Sequence, residues 1–214
     1  MSKKLLFIGD SITDASRVYN AVGAQRPGAI GYGFVLQIAG RLFGEDPTKY
    51  EIINTGASGH KIIDLYVRMK RDIWNFEPDV VTILDGINDL MNDIINDNGV
   101  EIERYYTFYD MLLSETKKNL PNAKIILLEP FFLKGSLTED KLDGLSKLKD
   151  YAQVVKDLAE KHGLYFIPLQ DLFNDLAEKN GAGNYLSDGV HPTVVGASVI
   201  AEEWIKFATE KGVI

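Results

Sequence analysis

The stretch "LLFIGDSITD", residues 5–14, is a short apolar run that stops at a glycine and is followed at once by Asp10, Ser11, Thr13 and Asp14. An apolar run of this length with no polar alternation is how a strand buried on both faces reads. With Lys4 to Ile8 as the first such run, four more follow at Glu51 to Asn54, Val80 to Leu84, Lys124 to Glu129 and Leu164 to Ile167. Segments of helical period lie between and after them, near Gly33 to Phe43, Ile62 to Phe76, Glu101 to Leu120, Leu145 to Lys161, Leu172 to Lys179 and Thr193 to Glu210. Strands alternating with helices define an α/β class with helices on both sheet faces. The expectation is a flavodoxin-like, three-layer α/β/α sandwich on a five-stranded parallel sheet. No repeat, low-complexity tract or linker interrupts the sequence, so residues 1–214 read as a single domain, with Pro130 to Gly144, "PFFLKGSLTEDKLDG", as its main exposed loop.

Composition removes several functional classes. The 214 residues are 45% hydrophobic, enough for one sizeable core. A net charge of −8 leaves no basic surface for a phosphate backbone, and no run approaches the roughly 18 to 20 apolar residues of a membrane helix. The expectation is a cytoplasmic protein that binds neither nucleic acid nor membrane; a homo-oligomer remains open. Without cysteine there is no disulfide, thiolate zinc site or catalytic thiol.

Ligands of doubly wound sheets sit outside the carboxyl ends of the strands. In this chain those ends carry "GDSITD", "NTGASGH", "DGINDL" and "EPFF", and "LSDGVHP" (186–192) follows the fifth strand. Ser11 stands at the first of them, and a serine hydroxyl becomes a competent nucleophile only beside a base. Of the three histidines, His162 in "EKHGL" suits a helix C-terminus, where it complements the dipole, and His60 suits loop packing or solvent contact. His191 has Asp188 three residues before it, within reach of the imidazole Nδ1–H, which leaves Nε2 for Ser11. Gly56 and Gly59 let the backbone approach a ligand, and the Gly56 amide, the Asn88 side chain and the Ser11 amide are candidate donors to an oxyanion. Each motif alone also fits an ordinary turn, and Asn54 equally fits the bracing of a loop. Asp10, His60, Phe131 and Tyr185 are candidate substrate contacts. On this reading a short pocket near Phe131 or Phe132 takes a methyl group.

Taken together, "GDS", "NTG", "GIND" and "DGVHP" occur in the order of the SGNH, or GDSL-type, hydrolases, and the chain resembles that family along nearly its whole length. "KLLFIGDSITD", "GYGFVLQIAGRL" and "GINDL" are more narrowly similar to bacterial acetylxylan esterases and other carbohydrate O-acetyl esterases. The resemblance implies Ser11 as nucleophile, His191 as base, Asp188 as its orienter and Ser11, Gly56 and Asn88 as the oxyanion hole, with no metal or cofactor. It implies hydrolysis of short acyl esters, acetyl groups on small sugars above all, through an acyl-enzyme.

Two positions depart from that pattern. Asp85 places a carboxylate beside the oxyanion donors, which opposes negative charge unless the carboxylate is neutralised or turned away. Ser187 stands where some acetylxylan-esterase relatives carry a bulky aromatic, with Tyr185 nearby to compensate. Competing readings are a lysophospholipase or acyl thioesterase on the same fold, a metal-dependent phosphoesterase using Asp10, Asp14, Asp89 and Asp188, and a non-enzymatic flavodoxin-like binding module around "GYGFVL".

Overall fold

A computed structural model describes residues 2–19 and 26–214. Five parallel strands, β1 (Lys3–Gly9), β2 (Tyr50–Asn54), β3 (Val80–Leu84), β4 (Lys124–Leu128) and β5 (Tyr165–Ile167), form one sheet in the order β2-β1-β3-β4-β5. The apolar strands are buried because helices cover both faces. Phe7 of β1 packs against Phe34 of one helix and Trp204 of another, at centroid distances of 5.9 and 5.3 Å, and the Trp204 indole donates to Thr82 Oγ1 of β3 at 3.0 Å.

The helices are α1 (Ser11–Asp14), α2 (Pro27–Ile30), α3 (Phe34–Glu45), α4 (Ile62–Asp72), α5 (Ile87–Asn96), α6 (Ile102–Asn119), α7 (Leu142–Leu145), α8 (Leu148–His162), α9 (Gln170–Asn180) and α10 (Val194–Glu210). Helices α3 and α10 pack together on one face; on the other, α6 lies between α4 and α8. One contiguous hydrophobic cluster runs from Leu5 to Val213. The five expected strands and six expected helices are present with ends shifted by a few residues, except that the segment from 62 to 76 ends as α4 at Asp72 and finishes in a 3-10 turn, Trp74–Phe76.

Two expectations need correction. "DGINDL", read as a strand-end loop, runs into helix α5, in which Ile87, Leu90, Met91 and Ile94 recur at helical spacing. The segment Pro130 to Gly144 is no exposed loop throughout, since Pro130, Phe131, Leu133 and Thr138 are buried. Its backbone is satisfied against the chain near residue 189, where the Leu133 and Leu137 amides donate to the Gly189 and Asp188 carbonyls at 2.8 and 2.9 Å. With β1 flanked by β2 and β3, the chain reverses its direction of travel across the sheet between β1 and β3, where a crevice opens in such folds.

Candidate active site

Ser11 leaves β1 at that crevice and begins α1. Asp10 caps this one-turn helix, its Oδ1 accepting the Ile12 amide at 2.9 Å, and the cap fixes the direction of the Ser11 side chain. Ser11 Oγ lies 2.9 Å from His191 Nε2. His191 Nδ1 lies 2.7 Å from Asp188 Oδ2. The three-residue spacing works because Asp188 has two tasks. Its Oδ1 accepts the Val190 and His191 amides at 2.9 and 2.8 Å and closes the turn, while Oδ2 is left to take the ring. The Ser187 amide donates to the His191 carbonyl at 2.9 Å and the Leu186–Pro192 bridge staples the turn's base. Burial pushes the Asp188 carboxyl up, but hydrogen bonds from the His191 amide, its ring and the Val190 amide outweigh it and hold the group below the usual range, ionised at neutral pH. A neutral imidazole protonated on Nδ1 therefore donates to Asp188 and presents a bare Nε2 to the Ser11 hydroxyl.

Around Ser11 the loops are bound to one another. Asn88 Nδ2 donates to the His60 carbonyl at 3.1 Å and leans on Asp10 Oδ2 at 3.4 Å, which ties the first turn of α5 to the loop after β2 and to the base of α1. Gly56 is placed differently from expectation. Its amide donates to Asn54 Oδ1 at 2.8 Å, and a Cβ built on it would stand 2.4 Å from the Asp14 amide nitrogen. The glycine is thus a close-packing position against α1 whose amide is taken up by Asn54 and not aimed at an oxyanion. Asn54 braces this region, donating from Nδ2 to the Thr13 and Ile30 carbonyls. Gly59, the other glycine expected to let the backbone approach a ligand, is placed differently. Its φ of +77° turns the loop just before His60, and its amide has no partner among the described residues.

Three of the expected substrate contacts lie inside the protein. Asp10 is fully buried as cap and brace for Asn88. Phe131 is fully buried and stacks on Phe173 at 4.6 Å, while Phe132 lines a separate cleft with Pro168, Gln170 and Asn174 that includes neither Ser11 nor His191. Tyr185 is buried, its hydroxyl accepting from Asn180 Nδ2 at 2.7 Å. His60 is half-buried at the rim, its Nδ1 without a partner and its pKa lowered by burial and by Arg68. Asp14 is likewise diverted, to Arg17 at 3.4 Å and the Ser58 hydroxyl at 3.0 Å. Among the described residues no three His, Asp or Glu side chains converge as a metal-binding group, so Asp10, Asp14, Asp89 and Asp188 do not share a site. No described helix is long and apolar enough to cross a membrane.

A Ser–His–Asp relay at the switch point of a flavodoxin-like sheet defines the class of serine hydrolases that carry their acid and base on one short turn. Residues 7–199 match the GDSL-like lipase/acylhydrolase family, and the chain belongs to that family of carboxylic ester hydrolases. It is 33% identical over 211 residues, 95% of this chain and 93% of the other, to an acetylxylan esterase of Geobacillus stearothermophilus. The crystal structure of an acetylxylan esterase from that organism superposes with a TM-score of 0.84 at 32% identity, covering 95% of this chain and 93% of that one. A protein of Parabacteroides merdae described as a GDSL-like lipase gives a TM-score of 0.90 at 33% identity, covering 96% of both chains. Solved catalytic mutants of the Geobacillus esterase replace an aspartate, a histidine or a serine by alanine.

Proposed function

We propose that this enzyme removes acetyl groups from small acetylated carbohydrates, with Ser11 as nucleophile, His191 as general base and then general acid, and Asp188 as the residue that orients the ring. The observation that carries this reading is the unbroken chain Ser11 Oγ to His191 Nε2 to Asp188, with contacts of 2.9 and 2.7 Å. Ser11 Oγ attacks the ester carbonyl as His191 Nε2 takes its proton. The carbonyl π pair moves onto oxygen and then returns as the C–O bond to the sugar breaks, the alcohol leaving with the proton from His191. Water, deprotonated by the same nitrogen, attacks the acyl-serine and releases the acid. The Ser11 amide, the Gly59 amide and the Asn88 Nδ2 hydrogen that only leans on Asp10 Oδ2, at 3.4 Å, hold the developing oxyanion. Gly59 takes the place of Gly56 in this set because the His60 carbonyl bonded to Asn88 brings the adjoining Gly59 to the site with its amide unused among the described residues.

The acetyl-sugar substrate is supported by a relative described as an acetyl-xylooligosaccharide esterase, 30% identical over 95% of this chain. A second reading, toward longer acyl chains, draws on an observation the sequence reading lacked. Val194 and Val195, three and four residues beyond His191 at the start of α10, are 76% and 52% exposed, and the Val194 carbonyl accepts Gln37 Nε2 of α3 at 3.5 Å. A p-nitrophenyl ester series from acetate to octanoate, run beside acetylated xylo-oligosaccharides and after treatment with a serine-directed fluorophosphonate, separates the readings. Acetate release from the sugars, kcat/KM falling with chain length and labelling at Ser11 are expected. Efficiency rising with chain length and no acetate from any sugar favours the second reading, and labelling at Ser58 or Ser187 overturns the assignment of the nucleophile.

A further inference from the structure

Behind Asn88, on the sheet face covered by α4, α6 and α8, lies a knot of buried carboxyl groups that the acyl-transfer steps do not use. Asp85, the residue between β3 and the cap of α5, is 1% exposed, and neither of its side-chain oxygens meets a donor among the described residues. Asp89, four residues on, is fully buried. Its Oδ1 accepts the Ile62 amide at 3.1 Å and its Oδ2 meets no donor. The two carboxyls stand four residues apart at the start of α5, near enough for each to shift the titration of the other. Two ionised carboxylates in contact and out of water repel strongly, whereas a carboxylic acid donating to a carboxylate satisfies both with one proton.

Among the described residues the surroundings hold one cation and otherwise carboxyl and phenol groups. Asp10 faces the pair from the start of α1, and Tyr105, Tyr109 and Tyr151 face it from α6 and α8. Tyr105 Oη donates to the Asp85 backbone carbonyl at 3.0 Å, and the Tyr151 hydroxyl donates to the Val100 carbonyl, so neither hydroxyl hydrogen serves the pair. Tyr109 Oη is buried without a partner. The cation nearest the pair among the described residues is Arg68 of α4, whose two terminal nitrogens donate to Asp72 and to the Thr55 and Gly9 carbonyls, while its Nε meets no acceptor there. Burial first, then the neighbouring Asp89 and Asp10, push the Asp85 carboxyl well up, and burial pushes Asp89 up to about 7.

We propose that Asp85 is a protonated positioning residue: it shares one proton with Asp89 across the neutral range, and through Asp89 it holds the Ile62 amide and the first turn of α5, the two anchors of the Gly59–His60 loop and of Asn88. The shared proton also keeps a second negative charge away from the oxyanion. The inference rests on the proposed esterase reading for its kinetic consequence but not for the proton itself.

The test uses the full chain. In Ser11→Ala protein carrying ¹³C-labelled aspartate carboxyls, the Asp85–Asp89 pair should retain one proton at pH 7 and release it only at higher pH, a result independent of any reaction at Ser11. Both carboxyls ionised at pH 7 would falsify the proposal. Thermal stability supplies a second reading. A carboxyl whose pKa is raised by folding contributes fully below its unfolded pKa, about 4, and that contribution is lost as pH rises through the folded value. The melting temperature of the parent should therefore fall between pH 5 and pH 8, and Asp85→Asn, whose amide donates to Asp89 at every pH, should reduce that fall by about half or more. An unchanged fall overturns the idea. Kinetically, Asp85→Asn should keep kcat within about threefold of the parent and flatten its alkaline limb, while Asp85→Ala should lose about tenfold or more in kcat with little change in KM. Equal losses in both variants overturn the positioning role. Activity surviving in Ser11→Ala itself defeats the nucleophile assignment and leaves the carboxyl measurement standing.

Discussion

The side-chain amide of Asn88 reaches the His60 carbonyl at 3.1 Å, joining the first turn of α5 to the loop after β2 across the mouth of the crevice. A donor fixed in this way is pre-aimed and has little reorganisation left to do when charge develops on a substrate oxygen. Asn88→Ala should lower kcat by roughly 10² to 10³ with a small change in KM. Steady-state kinetics decide between this and pure bracing, for which the folded fraction would keep full turnover and only the melting temperature would drop.

The two glycines of "NTGASG" should separate into different phenotypes. A methyl at Gly56 meets the Asp14 amide at 2.4 Å, so Gly56→Ala should lower thermal stability as α1 is displaced. Gly59 has open space around it and a φ of +77°, so Gly59→Ala strains the loop without a clash. Its loss should fall mainly on kcat through a misdirected amide. Melting curves and kcat measured on both variants check the contrast, which fails if Gly56→Ala melts like the parent and loses only turnover.

Ser11, His191 and Asp188 should behave as one unit. Ser11→Ala is expected to lower kcat by several orders of magnitude, on the order of 10⁶, and adding His191→Ala should cost little more. Additive losses, seen by comparing the double variant with each single one, would show that the two residues act in separate steps.

Arg68 makes a prediction about the fold rather than the reaction. Buried between β1, β2 and α4, it donates to the Gly9 and Thr55 carbonyls and pairs with Asp72 at 2.7 Å. Arg68→Met keeps much of the side-chain bulk and strands these acceptors, and should cost on the order of 3 kcal/mol of stability. Urea denaturation measures it, and a cost below about 1 kcal/mol would mean that water replaces the guanidinium easily.

Acid should unfold the protein partly through Asp110. Burial pushes this carboxyl up, but Lys161 at 2.9 Å and His162 at 2.6 Å outweigh it and leave the pKa below its ordinary value. A depressed carboxyl contributes stability above its unfolded pKa, near 3.9, and loses it as pH falls through the lower folded value. Asp110→Asn should therefore lose less in melting temperature than the parent between pH 5 and pH 3. Calorimetry at the two pH values is sufficient to check the sign.

Much of the architecture was legible because burial on both faces writes an unmistakable pattern. Val80–Leu84 has no polar side chain except Thr82, and that hydroxyl has its own partner in Trp204. Helix α5 was hidden for the opposite reason. Its first residues belong to a motif that reads as a turn, which drew attention from the apolar spacing of Ile87, Leu90, Met91 and Ile94 behind it. At the site, the Asp188–His191 pairing was readable from spacing because a single turn must bring the two together. Which face of a strand-end residue meets solvent was not. Phe131 and Tyr185 lie beside functional loops in sequence but point into the core, a choice made by α9 and by Asn180 rather than by their immediate neighbours. The use of the Gly56 amide was equally unreadable, since it depends on a rotamer of Asn54.

The contact between the segment after β4 and the turn carrying Asp188 has an evolutionary corollary. A Cβ at Gly135 would sit 2.4 Å from the Asp188 carbonyl carbon, and one at Gly189 would sit 2.3 Å from Thr138 Oγ1. The two segments, some fifty residues apart, are cast against each other like the halves of a mould, so neither is free to drift alone. A loop transplanted from a relative with a bulkier residue at either place would carry the acid and the base out of line with Ser11, whereas moving both segments as a pair would preserve the alignment. Recombination among these hydrolases should thus inherit residues 130–145 and 186–192 together, and shuffled libraries should recover active chimaeras mainly when both come from one parent.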